Sequence, residues 1–222
     1  MNAEKRAIDH CLRTNRSPFT VHCSLFTDYH LQIITGILLA AGSGSRFGGG
    51  KLVHPLADGT PIGVVALRNL RQALGQTLAV VRNGDDALRQ LLEKEGIAVR
   101  ICPDAHLGMA RSLVCGIDAS RDADGWVIAL GDMPFVLPQT INAIVERIVQ
   151  SGRIAIPAYR GRRGHPVAFG RRYLDELLNL QGDEGARSVI GRHPHDLDII
   201  DCDDRGILRD IDTAADLDRP AG

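Results

Sequence analysis

The chain has 222 residues, 44% of them hydrophobic and 24% charged, with a formal net charge of −1. That length and composition describe one globular domain with a sizeable core, and the balanced charge excludes a general pull toward nucleic acid or an anionic membrane. Apolar runs such as 37–41 fall far short of a membrane span, and the opening Glu4, Lys5, Arg6 and Asp9 do not resemble a secretory signal.

Residues 1–32 lack clear periodicity and are read as an N-terminal extension, poorly ordered or preceding the true start, with the folded domain spanning 33–222. His10-Cys11, His22-Cys23 and His30 are zinc-ligand types, but their spacing matches none of the usual paired-ligand patterns. The five cysteines are widely spaced and form no CxxC pair, which suits reduced thiols in a cytoplasmic protein.

From residue 33 the pattern becomes regular. Short apolar, β-branched runs predict strands at 33–40, 77–82, 97–101, 126–130, 154–158, 166–169 and 197–200. Apolar residues at helical spacing predict helices at 62–74, 85–94, 110–120 and 138–150. Asp85-Asp86 and Pro138 suit helix starts, by favourable charge and by a pre-set φ. Strand–helix alternation over 33–150 requires crossover connections, and therefore an α/β fold of three layers around a mostly parallel sheet.

Ligands in such sheets bind beyond the carboxyl ends of the strands. The first strand runs into Ala41-Gly42-Ser43-Gly44-Ser45-Arg46-Phe47-Gly48-Gly49-Gly50-Lys51, a loop with five glycines and two cations. Backbone N–H groups in such a loop can wrap an anion. The dinucleotide fingerprint fails at Phe47, and the P-loop pattern fails at Ser45 and Leu52. Phosphoryl chemistry still suits the residue types. Arg46 can fork two hydrogen bonds to phosphate oxygens, and Lys51 offers a compact charge.

The strand at 126–130 is followed by Gly131-Asp132-Met133-Pro134, where Asp132 points into the expected crevice as a magnesium ligand. Near the C-terminus, Asp210-Ile211-Asp212-Thr213 would place both aspartates on one face of an extended segment, with Ile211 opposite. Either aspartate could complete the Mg2+ site. Residues 196–218 hold nine aspartates, so many must be plain solvated side chains, and Asp212 or Thr213 could equally cap a helix. Residues 160–172 carry five arginines, including Arg163, beside Gly164-His165-Pro166. Arginine clusters in glycine-containing loops suit phosphates and planar heterocycles, so Arg163 and His165 are acceptor-binding candidates.

Taken together, Leu39-Ala40-Ala41-Gly42, Arg46-Phe47-Gly48, Lys51, Gly131-Asp132-Met133-Pro134, Gly164-His165-Pro166 and Asp210-Ile211-Asp212-Thr213 resemble the molybdenum cofactor nucleotidyltransferases. The resemblance runs from about residue 35 to the end and is nearest to the cytidylyltransferase branch. It implies a Rossmann-like nucleotidyltransferase fold and transfer of CMP from CTP to molybdopterin, with Mg2+ as cofactor and release of pyrophosphate. It further implies that Leu39, Ala40, Ala41, Gly42, Gly44, Asp104 and Ser112 contact the nucleotide and that Lys51 holds the triphosphate. On the same resemblance, Gly182-Asp183-Glu184-Gly185-Ala186-Arg187 is an acceptor-side motif, with Asp183 and Arg187 as its contacts. Ala41, in an Ala-Ala-Gly rather than Ala-Gly-Gly loop, argues for CTP over GTP or another NTP. A molybdenum hydroxylase or its chaperone is the implied recipient of the product.

Two rivals are open. One is an NAD(P)H-dependent oxidoreductase using the same glycine loop, against which the failed dinucleotide fingerprint counts. The other is a molybdenum cofactor carrier or insertion chaperone, for which catalytic groups such as Lys51 and Asp132 would be superfluous.

Overall fold

The computed structural model describes residues 32–182 and 185–217, so the zinc-type residues of the N-terminal extension lie outside the described residues. Among the described residues, β1 (Ile34–Ala40), β2 (Gln76–Arg82), β3 (Ala98–Cys102), β4 (Gly125–Leu130), β5 (Ile154–Tyr159), β6 (Arg162–Arg163), β7 (Val167–Gly170) and β8 (Leu197–Asp201) form one sheet. The helices are α1 (Ile62–Ala73), α2 (Asp86–Lys94), α3 (Met109–Asp118), α4 (Pro138–Ser151), α5 (Leu174–Leu178) and α6 (Arg187–Arg192).

The strand order is β3-β2-β1-β4-β7-β5. β1 pairs parallel with both β2 and β4, and β2 pairs parallel with β3. β7 runs antiparallel between β4 and β5, and β8 adds in parallel to β5. The three-layer, mostly parallel expectation therefore holds. Every residue of β1 is buried, as befits the central strand of a sheet covered on both faces.

Strand alternation sorts the core into two halves. From β1, Ile34, Leu38 and Ala40 join a cluster with Leu67 and Leu70 of α1, Leu88 of α2 and Ile144 of α4. Ile37 and Leu39 face the other side, with Leu113 and Ile117 of α3, Leu177 of α5 and Val189 of α6. Burying each such Leu or Ile contributes about 1.5–3 kcal/mol, so these stripes, not helix propensity, hold the layers.

The expected long elements are present with ends shifted by a residue or two. The strand expected at 166–169 is Val167–Gly170, and the helix expected at 110–120 is Met109–Asp118. β6, α5 and α6 were not anticipated, because two to six residues carry too little periodicity to register. After β3 the chain returns across β1 to enter β4. The sheet thus reverses its winding between β1 and β4, which opens a ligand crevice beyond their carboxyl ends. No helix among the described residues is long and apolar enough to cross a membrane.

Candidate active site

The loop leaving β1 is bent by its glycines. Gly44 and Gly48 flank a short turn at Ser45–Phe47 with φ of 59° and 89°, and Gly49 and Gly50 follow at 95° and 63°. Side chains rarely adopt that backbone region, so only glycine lets the loop double back this tightly. The fold-back leaves Arg46 on the exposed arm and draws Lys51 inward, where its side chain is only 10% exposed.

Gly131 N–H donates to the Leu39 carbonyl at 2.9 Å, which extends the β1–β4 pairing past the strand ends and sets Asp132 beside the loop. Lys51 Nζ donates to Asp132 Oδ2 at 2.8 Å and lies 3.5 Å from Asp212 Oδ1. Arg46 Nη1 reaches Asp212 Oδ2 at 2.6 Å. The Arg46 side chain is 76% exposed, so its pair with Asp212 is worth about 0–1 kcal/mol and readily exchanges for another anion.

The C-terminal acidic segment adopts the expected alternation: Ile211 is fully buried, Asp210 is exposed and Asp212 half-buried. Ile211 N–H donates to the Asp132 carbonyl at 2.9 Å. It is Asp212 that shares the Lys51 ammonium with Asp132. Asp210 instead acts on His165, described below. The capping expectation resolves onto Thr213, the N-cap of a short turn at Ala214–Asp216.

Arg46, Lys51 and Asp132 open onto a crevice of about 830 Å³, lined also by Leu39, Ala41, Gly42, Gly44 and Ser112 among others. Ala40, expected at the nucleotide, is 1% exposed and packs into the α1 face of the core, because alternation turns it away from the side taken by Leu39. Asp104 is exposed, between the crevice-lining Pro103 and Ala105. Arg82, the last residue of β2, and Asn83 and Asp85 just after it also line the crevice. Motif reading missed them, although the strand-end rule that singled out Asp132 applies equally to β2.

The acceptor-side candidates divide. Arg163 is exposed on β6, paired with Ala158 near the carboxyl end of β5. His165 donates its backbone N–H to the Ile207 carbonyl at 2.9 Å, and its Nδ1 is buried without a hydrogen-bond partner among the described residues. Arg187 opens α6. Asp183 lies outside the described residues. Burial lowers the His165 pKa, helped by the Arg187 charge and opposed by Asp132 and Asp210. Those four side chains thus share one electrostatic neighbourhood, with Asp132 common to both halves of the site.

The junction is locked by two glycines. A Cβ at Gly164 would lie 2.3 Å from the Ile207 carbonyl oxygen, and one at Gly206 would lie 2.0 Å from that of Phe135. No side chain fits either place. Nearby, the buried Asp204 carboxylate accepts from Leu137 N–H at 2.9 Å, Thr140 Oγ1 at 2.7 Å and Gly206 N–H at 2.8 Å, tying the α4 start to the C-terminal segment.

The depressed His165 pKa has a consequence for stability. As pH falls below about 6.5 the unfolded chain takes up a proton at this position before the folded one does. Folding stability should therefore decline from there down through the folded pKa, and His165 should contribute no pH dependence above that window. Chemical denaturation of His165→Asn between about pH 5 and 7.5 checks this: the variant should show a shallower acid-side loss than the parent. Parallel slopes would rule it out.

Among the described residues, no three His, Cys, Asp or Glu side chains converge as a ready metal site. The donor set nonetheless fits a hard divalent ion. Two carboxylates already close on one cation, the Lys51 ammonium, and magnesium-type ions take one or two carboxylates and complete their shell from phosphates and water.

A family profile described as the MobA-like NTP transferase domain matches residues 36–197. The chain is 30% identical over 197 residues to the purine catabolism protein PucB of Bacillus subtilis, covering 83% of this chain and 94% of that one. It is 28% identical over 201 residues to the nicotine blue oxidoreductase of Paenarthrobacter nicotinovorans, covering 86% and 98%. A probable molybdenum cofactor guanylyltransferase of Thermococcus sibiricus is 28% identical over 153 residues, covering 68% and 75%. Among solved structures, Rv0371c of Mycobacterium tuberculosis in complex with manganese superposes with a TM-score of 0.66 at 31% identity, covering 83% and 96%.

Proposed function

The chain belongs to the MobA-like NTP transferase family, and from that premise we propose that it transfers CMP from CTP to molybdopterin, using Mg2+ and releasing pyrophosphate. The observation that carries this reading is the convergence of Arg46, Lys51 and Asp132 in one crevice at the reversal point of the sheet, with Asp212 ion-paired to both of those cations. An anionic oxygen of the acceptor's phosphate attacks the α-phosphorus in line. The bond to the β-phosphate oxygen breaks, and pyrophosphate leaves with the electron pair. No side-chain nucleophile is needed, because the attacking group is already anionic.

The residues divide this work by position. Lys51 and Arg46 transfer their charge from Asp132 and Asp212 to the triphosphate, where negative charge grows as pyrophosphate departs. Asp132 and Asp212, freed of their cations, are the residues that would hold the divalent ion. When bound, that ion neutralises the phosphates and fixes their geometry. Leu39, Ala41, Gly42, Gly44, Asp104 and Ser112 contact the nucleotide, with Ala41 at the position that favours cytosine. Arg163, His165, Asp183 and Arg187 receive the acceptor, and a neutral His165 presents no competing cation there. The product passes to a molybdenum hydroxylase or its chaperone. We place the reaction in the cytoplasm, where thiols such as the free Cys102, Cys115 and Cys202 stay reduced.

The manganese complex of Rv0371c and the molybdenum cofactor named for the Thermococcus relative support the metal and the acceptor. The nicotine blue oxidoreductase relative keeps a redox reading on the table. One assay separates them: pyrophosphate release with Mg2+ and each of CTP, GTP, ATP and UTP, with and without molybdopterin. The proposal expects acceptor-dependent release, with CTP at least about tenfold ahead in kcat/KM. Release led by GTP would overturn the base assignment. No release with any nucleotide, together with magnesium-independent oxidation of NAD(P)H, would replace the whole reading.

A further inference from the structure

This inference rests on the assignment of Asp212 to the divalent ion. We propose that Asp216 is a positioning residue: its carboxylate holds the turn that carries Asp212 and keeps Asp212 aimed at the metal once the triphosphate has taken its cations.

In the free protein the Asp212 carboxylate is tied by Arg46 at 2.6 Å and by Lys51 at 3.5 Å. Both are the cations that a triphosphate recruits. Loading the site therefore removes the two side-chain ties that now orient Asp212, at the moment when its aim matters most. What remains is backbone. Asp216 Oδ2 accepts from Asp212 N–H at 3.1 Å, Thr213 N–H at 2.8 Å and Thr213 Oγ1 at 2.9 Å. Hydrogen bonds to an ionised carboxylate are among the stronger ones, and this carboxylate belongs to a residue only 8% exposed.

The turn is also fastened to the loop that follows Asp132. Ile211 is fully buried and donates its N–H to the Asp132 carbonyl at 2.9 Å. Arg209 stacks its guanidinium 3.8 Å from the Phe135 ring centroid and donates to the Asp216 carbonyl at 3.3 Å. Asp132 and Asp212 are thus held in mutual register through contacts that use neither Lys51 nor Arg46. Asp216 is buried and its carboxylate is turned to the Asp212 and Thr213 backbone, so it acts through Asp212 rather than on the ligand.

The test is Mn2+ binding to the full chain in the presence of CTP, followed by electron paramagnetic resonance of free and bound ion. Asp212→Asn serves as the reference. Outer-shell partners of metal ligands typically change metal affinity by about 10–100-fold. Asp216→Ala should weaken Mn2+ binding by about tenfold or more, close to the loss in the reference. Asp216→Asn, whose amide oxygen can still accept from the same donors, should recover most of that loss. If Asp212→Asn weakens binding and Asp216→Ala lowers only the melting temperature, Asp216 is a simple turn cap and the positioning role fails alone. If Asp212→Asn itself binds Mn2+ like the parent, the metal assignment fails and takes this inference with it. Should Asp216→Ala not fold, Thr213→Val removes one of the three donors and should shift Mn2+ affinity the same way by about two- to threefold. An unchanged affinity there overturns the proposal.

Discussion

Asp132→Asn is expected to lose at least ~10³-fold in kcat while its affinity for CTP changes by less than about tenfold. A divalent ion contributes several kcal/mol to stabilising charge in the transition state, and each 1.4 kcal/mol is about tenfold in rate. Asparagine keeps an oxygen that can still accept from Lys51, which also retains Asp212 within 3.5 Å, so the fold of the crevice should survive. What disappears is one of the two negative charges offered to the metal. The nucleotide contacts proposed for the crevice-lining Leu39, Ala41, Gly42 and Ser112 do not involve Asp132 and should persist. Pyrophosphate release and equilibrium CTP binding measure the two quantities separately. A carrier protein would show little change in either, and a kcat loss below tenfold would remove Asp132 from the catalytic role proposed for it.

Lys51→Met should produce two opposite effects from one substitution. The catalytic efficiency with CTP should fall by at least ~10²-fold, the range seen when a charge-stabilising donor is deleted from a transition state. Mn2+ affinity in the absence of nucleotide should rise by about tenfold, because the ammonium that occupies the carboxylate pair has gone. Hydrogen bonds to charged groups contribute about 1.5–3 kcal/mol, and displacing the Lys51–Asp132 pair is what a free metal ion must now do unaided. The nearly buried stem makes methionine a fair replacement in volume, so lost packing should not obscure the result. Mn2+ titration of the nucleotide-free variant decides it. An affinity equal to or below that of the parent would show that Lys51 does not compete for the metal position.

Much of this architecture was legible in the chain because its signals are local. The buried run ending at Ala40, the glycine loop to Lys51 and the Asp132 turn each declare themselves within a dozen residues. Their order along an alternating strand–helix pattern was enough to anticipate a parallel, three-layer sheet. Short elements such as β6, α5 and α6 escaped because a few residues do not complete a period. Arg82, Asn83 and Asp85 escaped because they form no motif, although they sit at the carboxyl end of β2 much as Asp132 sits at that of β4.

The sequence by itself determined the fold class, the crevice position and the kinds of charge that meet there, since periodicity and loop composition are properties of neighbouring residues. Only the tertiary structure decided which of nine C-terminal aspartates faces Lys51. Asp212 faces it, 161 positions away in the chain, while Asp204 and Asp216 are spent on capping turns. A carboxylate's role depends on which donors surround it. In this protein those donors arrive from the loop after β1, the start of α4 and the C-terminal segment, brought together by packing that no local pattern records.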